Sequence, residues 1–163
     1  MKISRIVVDD EFSGLVFRPT DDEYSALKTS INEHGMRRPL LIDQTGVLLD
    51  GHTRLQIARD LEMDEVPTET VCMQSRLEAM EYIIEVNVQR RHLNVAQRAE
   101  LGKRLLPIEA GLAKERQKEA GKKFGRGKLT QRVAEAIDEG MSRDLAAAKV
   151  GISGETLREA VRI

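Results

Sequence analysis

Apolar positions along the chain change period near residue 75, and the change divides it into two kinds of sequence. Before that point, short apolar runs alternate with turn residues. Ile3, Ile6, Val7 and Val8 predict an opening strand that ends at Asp9, Asp10 and Glu11. Thr20 with Glu23 three positions on is a capping-box pattern, Tyr24, Leu27 and Ile31 follow at helical spacing, and Gly35 supplies the stop. Residues 39–43 and 47–49 flank the turn Gln44, Thr45, Gly46 and predict a hairpin. A helix from residue 51 to about 63 would bury Leu55, Ile57, Ala58 and Leu61. Residues 66–71 then read as a closing strand, with Pro67 at an edge or a strand start.

After residue 75 the strand signals vanish. Leu77, Met80, Ile83, Ile84 and Asn87 sit at helical spacing, Asn94 with Gln97 starts another helix, and Pro107 is placed to open a third. Residues 121–128 combine three glycines with Lys122, Lys123, Arg126 and Lys128, which predicts a flexible basic linker. Beyond it, residues 130–137 predict a helix that Gly140 ends. Ser142 starts another running to Val150, Gly151 forces a turn, and Ser153 caps a last helix over residues 155–163. Small residues near Ala147, the turn glycine, and apolar Ile152 and Leu157 match a helix-turn-helix. The expected fold is therefore α+β: a small mixed sheet with helices over residues 1–75, a helical connector with basic linker over 76–128, and an all-α helix-turn-helix region over 129–163.

Composition narrows the class. The chain has 163 residues, 40% apolar and 33% charged with 3% aromatic and no Trp, which fits a soluble, helix-rich intracellular protein. No apolar run reaches the roughly 18 residues of a membrane span, and the first residues lack a signal-peptide core. A single cysteine, Cys72, excludes an internal disulfide framework and reads as a small, partly buried residue at a strand end. The formal net charge of −1 hides a polarity along the chain. Residues 1–86 hold 9 Lys and Arg against 17 Asp and Glu, residues 87–132 hold 13 against 4, and residues 133–163 hold 4 against 6. The middle segment is where an anionic polymer would be drawn.

Two stretches carry candidate chemistry. At Asp50-Gly51-His52-Thr53-Arg54 a strand runs through a glycine into a helix start, where free amides and a guanidinium suit a phosphate. The same pattern also serves as an ordinary strand-to-helix turn. On the last helix Ser153, Glu155, Thr156, Arg158 and Arg162 are the side chains offered to DNA, supplemented by the basic residues Lys122, Lys123, Arg126 and Lys128.

Three patterns occur in order: Gly35-Met36-Arg37-Arg38-Pro39-Leu40, then Asp50-Gly51-His52-Thr53-Arg54, then Asn87-Val88-Gln89-Arg90-Arg91-His92-Leu93-Asn94. With the trailing helix-turn-helix they resemble the ParB/sulfiredoxin superfamily, and most the ParB-like partition proteins. The resemblance covers roughly residues 3 to 163. It implies a pocket for CTP with Mg²⁺ that acts as a conformational switch, or clamp. Gly51, His52, Thr53 and Arg54 would cradle the phosphates, Arg37 and Arg38 would border them, Gln89 and Arg90 would contact them, and Asn87 would lie near the metal. It further implies DNA as partner, a homodimer through nucleotide-dependent N-terminal contacts, a partition ATPase, and a cytoplasmic, nucleoid- or plasmid-associated place.

The chain also departs from the family pattern. Val86 stands where partition proteins commonly carry Glu, so at most slow CTPase turnover is expected. The family's Gly-Glu-Arg-Arg is Gly-His-Thr-Arg here, and His52 stands where sulfiredoxins carry their reactive cysteine. The chain stops within about a turn of the recognition helix, as a fragment or reduced version would. A phosphotransferase or nuclease on the same fold, with His52 or Glu85 as base, and a protein-interaction adaptor with a decayed pocket are the alternative readings.

Overall fold

The computed structural model describes residues 1–90, 93–124 and 131–162. They form two compact units, Met1–Ile83 and Ile84–Ile163.

In the first unit the opening residues do not form the expected strand. Ile3–Arg5 is a 3₁₀ turn, flanked by single bridges from Lys2 to Glu65 and from Val7 to Val47. Ile3 and Ile6 lie three apart, the period of a 3₁₀ turn, and point at the core together. Val7 and Val8, which a half-buried strand would have alternated, are both exposed. A short helix that periodicity missed follows, α1 (Asp10–Gly14). Asp9 caps it by accepting from the Glu11 and Phe12 amides, and Phe12 is buried. Helix α2 (Asp21–His34) has the expected reciprocal cap between Thr20 and Glu23, and ends at Gly35 with φ +72°.

Strands β1 (Leu40–Asp43) and β2 (Leu48–Asp50) make the expected antiparallel hairpin, with a register shift between Leu41 and Ile42. Asp43 Oδ1 ties the turn by accepting from the Thr45 and Val47 amides and the Thr45 hydroxyl. After α3 (His52–Asp60), strand β3 (Thr68–Val71) pairs in parallel with β1, giving the order β2-β1-β3. Pro67 immediately precedes β3, and its carbonyl accepts from the Leu40 amide. Central β1 supplies Leu40 and Ile42 to a core completed by Ile6, Leu48, Leu55, Ala58 and Val66. Cys72, just past β3, is exposed rather than partly buried.

Helix α4 spans Arg76–Arg90 and α5 spans Val95–Phe124. Asn94 and Gln97 exchange the expected capping hydrogen bonds at the start of α5. Pro107 does not open a new helix but lies inside α5. A proline there costs about 3 kcal/mol. Leu101, Leu105, Ile108 and Leu112 form one unbroken buried stripe across it, each worth about 1.5–3 kcal/mol, so continuity wins. Of the expected linker, residues 121–124 belong to α5, and Arg126 and Lys128 lie outside the described residues.

Helix α6 (Gln131–Val150) also merges two expected helices, running straight through Gly140. One interior glycine costs only about 1 kcal/mol, and after it Ser142, Ala146, Ala147 and Val150 are buried. Helix α7 (Gly154–Val161) completes the unit and packs with α5 and α6. No helix among the described residues is long and apolar enough to cross a membrane.

Candidate functional site

The strand-to-helix junction at Gly51 is built as the sequence requires. Gly51 has φ +100°, in the left-handed region that side chains rarely adopt, and a Cβ there would stand 2.5 Å from Leu40 Cδ2 and 3.0 Å from Arg54 Nη2. The glycine is thus demanded by the protein's own packing. No side chain caps α3, so its first amides keep the donor character of an uncapped helix start.

Arg54 is engaged with the protein itself. Its Nη1 donates to the carbonyls of Arg38 and Pro39, each at 2.7 Å, and its Nη2 donates to Asp50 Oδ2 at 2.8 Å, with the side chain 14% exposed. The guanidinium fork therefore ties the segment before β1 to the end of β2. Arg37 and Arg38 are exposed, so the cations open to solvent at this corner come from that tied segment.

His52 is sunk into the protein. Both ring nitrogens are shut off from solvent without a hydrogen-bond partner, and burial pushes the imidazole below its ordinary value, with Asp50 pulling weakly the other way. Thr53 and His52 also line a cleft of about 490 Å³ between α3 and the chain leading into α2.

Of the third motif, Asn87 to Arg90 lie on α4, and Arg91 and His92 fall outside the described residues. Asn87 is buried, Gln89 is exposed, and Arg90 ends the helix. These donors belong to the second unit, whereas Arg37, Arg38 and residues 51–54 belong to the first. Glu85, the carboxylate nearest Asn87 in sequence, is engaged with Lys149 Nζ at 3.1 Å. Lys149 also lies 2.8 Å from Glu109 Oε1, and Arg116 lies 3.7 Å from Glu109 Oε2. Glu109 is 1% exposed; burial pushes its carboxyl up, Arg116 opposes this, and Glu85 adds to it. Burial likewise pushes the Lys149 ammonium down. This cluster went unnoticed in the sequence. The signal was present as Glu109 falling beside Ile108 on the apolar stripe of α5.

The helix-turn-helix is formed by the end of α6, the turn at Gly151 with φ +72°, and α7. Ala146, Ala147, Val150 and Leu157 are buried, and Gly102 of α5 lets Leu157 and Val150 close in, where a Cβ would be 2.8 Å from Leu157 Cδ1. Arg98 of α5 locks the turn. Its Nη1 donates to the Val150 carbonyl at 2.8 Å and its Nε to that of Leu93 at 3.2 Å. Ser153 caps α7 by accepting from the Thr156 amide, and its hydroxyl lies 2.8 Å from that of Thr156. Arg158 pairs with Glu155, and Arg162 is exposed at the helix end. Lys122 and Lys123 fall in the last turn of α5. Among the described residues no group of three His, Cys, Asp or Glu is arranged to hold a metal ion.

No protein-family model matches the chain. It is 35% identical over 104 residues to the uncharacterized protein ORF326b of Acidianus two-tailed virus, covering 64% of this chain and 31% of that protein. It is 39% identical over 46 residues to the ParB-like nuclease domain-containing protein YnaK of Escherichia coli K12, covering 28% of this chain and 53% of YnaK. The chain thus spans about a third and about half of these curated relatives. Among solved structures, a pNOB8-like ParB N-domain matches with TM-score 0.64 and 28% identity, covering 100% of this chain and 63% of that one. The C-terminally truncated partition protein ParB of Caulobacter crescentus, solved with the centromeric parS site, shares the fold with TM-score 0.51 and 20% identity over 99% of this chain and 68% of that one. With 26% and 28% identity over the whole of this chain in the two pNOB8-like N-domain structures, the chain carries the ParB-like N-domain fold of the ParB/sulfiredoxin superfamily, homologous to known ParB proteins.

Proposed function

We propose that this chain is a ParB-like partition protein that binds DNA through α6 and α7, with a nucleoside triphosphate of the CTP type and Mg²⁺ acting as a conformational switch on its first unit. The observation that carries the DNA reading is the locked helix-turn-helix. Gly151 and Arg98 fix the turn, and Ser153, Thr156, Arg158 and Arg162 all lie on or beside α7, the second helix of the motif, which enters the major groove in such proteins. Lys122, Lys123, Arg126 and Lys128 would add phosphate contacts.

For the nucleotide, the donor set fits an anion: an uncapped helix start at His52 and Thr53, with the exposed Arg37 and Arg38 beside it. Bound there, the nucleotide would supply charge that these donors hold in place. Asn87 is the residue that would hold the Mg²⁺ ion, through its amide oxygen, and the ion would supply charge against the phosphates. Gln89 and Arg90 would add phosphate contacts, and a homodimer and a partition ATPase would follow as partners. Turnover is at most slow, because Val86 replaces the usual carboxylate.

Two measurements test this. Gel retardation on duplex DNA should weaken steeply with salt, and Arg162→Gln should lower the slope of log K against log salt by about 1. Calorimetry with CTP and Mg²⁺ should show binding that Arg37→Gln with Arg38→Gln reduces at least tenfold. Absence of binding to any common triphosphate sinks the switch and leaves the DNA reading standing. The name of YnaK favours a second reading, a nuclease. Cleavage of DNA in Mg²⁺ or Mn²⁺ that His52→Ala abolishes would replace the switch with it.

A further inference from the structure

Helix α7 carries its charges on one side. Glu155, Arg158, Glu159 and Arg162 fall within about 100° of its circumference, opposite Leu157, which has no exposed surface and packs toward Gly102 of α5. Within that arc Arg158 and Arg162 form one row, and Glu155 and Glu159 the row beside it. At the first turn the rows are joined by the ion pair of Glu155 with Arg158, whose side chains are 59% and 45% exposed.

The start of the helix repeats the same mixture. Asp144 of α6 sets its carboxylate against Gly154, where an added Cβ would collide with Oδ1, and Arg143 Nε lies 3.5 Å from that oxygen. Ser153 is committed to the cap, accepting from the Thr156 amide at 3.1 Å, with its hydroxyl 2.8 Å from that of Thr156. What α7 offers outward is thus guanidinium donors and carboxylate acceptors side by side. A phosphate, which only accepts, would be repelled by Glu155 and Asp144. An edge that accepts and donates at neighbouring positions satisfies both kinds of group.

The major-groove edge of a G·C pair is such an edge: guanine N7 and O6 accept, and cytosine N4 beside them donates. An A·T pair puts thymine O4, an acceptor, where cytosine has its amino group, and a carboxylate facing it is repelled. We propose that the Glu155–Arg158 pair reads a G·C base pair, Arg158 donating to guanine O6 and N7 and Glu155 accepting from cytosine N4. Glu155 is thereby a specificity-determining residue, while Arg162 and the basic residues before α6 supply phosphate contacts. The assignment rests on the reading of α6 and α7 as a DNA-binding helix-turn-helix.

Selection from a library of randomised duplexes, followed by gel retardation of the selected site at fixed salt, tests it. The selected sites should share a G·C pair whose replacement by A·T lowers affinity about tenfold or more. Glu155→Gln, whose amide can also donate to thymine O4, should shrink that discrimination at least fivefold. 7-Deazaguanine at the selected guanine removes N7 while leaving base pairing intact; it should weaken the wild-type chain several-fold and leave Arg158→Ala unaffected. Selected sites with no shared G·C pair, undiminished discrimination in Glu155→Gln, equal weakening of that variant on every duplex, or indifference of the wild-type chain to 7-deazaguanine would each overturn the assignment and leave DNA binding standing. Failure to retain any duplex would overturn both.

Discussion

Gly51→Ala is the sharpest test of how the junction is built. The backbone at φ +100° lies where an L side chain costs roughly 1–2 kcal/mol. The added methyl would stand 2.5 Å from Leu40 Cδ2, on a residue with no exposed surface in the central strand, so relief requires displacing core, at typically 1–3 kcal/mol. Loss of chain entropy in the unfolded state returns about 0.4–1 kcal/mol. The net expectation is a destabilisation of about 3 kcal/mol, a large part of the stability of a small unit. Both tyrosines lie within Met1–Ile83, so urea unfolding followed by tyrosine emission reports on that unit selectively. Leu40→Val in the same background separates the contributions, because trimming Leu40 makes room for the methyl. The double variant should be less destabilised than the two single variants added together, by about 1 kcal/mol or more. Additive losses, or a Gly51→Ala cost below about 1 kcal/mol, would refute the steric reasoning.

Other expectations concern the buried polar groups and the turn. Burial holds His52 neutral, so its folded-state value lies below 6.5. Protonation then favours the unfolded chain, and stability present above about pH 6.5 should be lost progressively below it. His52→Leu should flatten that part of a pH-stability profile, and an unchanged slope argues against it. Lys149→Met should cost about 3 kcal/mol by leaving Glu109 buried without its nearest cation, whereas adding Glu109→Met should restore most of it; equal losses in both variants, by circular dichroism, would contradict this. Arg98→Met should weaken DNA retention several-fold without altering the salt slope, because Arg98 shapes the Val150–Gly151 turn rather than contacting phosphate. A reduced slope would place it on the DNA instead.

What was legible in the sequence had local causes. Thr20 with Glu23, Asn94 with Gln97, and Ser153 with Thr156 each set a helix start within four residues, and each cap is formed. The hairpin turn and the left-handed Gly51 and Gly151 are equally local. Breakers misled: Pro107 and Gly140 both lie inside helices, the first within a buried stripe that outweighs its cost. The site was legible as a set of motifs but not as a set of roles. Nothing near Arg54 in sequence says that its fork closes on carbonyls 15 and 16 residues earlier. Glu85 likewise reads as a spare carboxylate until the fold brings Lys149 to it.

Because Arg54 grips the backbone of Arg38 and Pro39 and not their side chains, the corner is organised like a mount with an interchangeable fitting. Side chains at 37 and 38 can be exchanged without disturbing the carbonyls that hold them in place. Selection acting on those two positions can alter the charge the corner presents to solvent while Asp50, Gly51 and Arg54 keep the frame constant. Surface charge and folding are thereby assigned to different residues of one short segment.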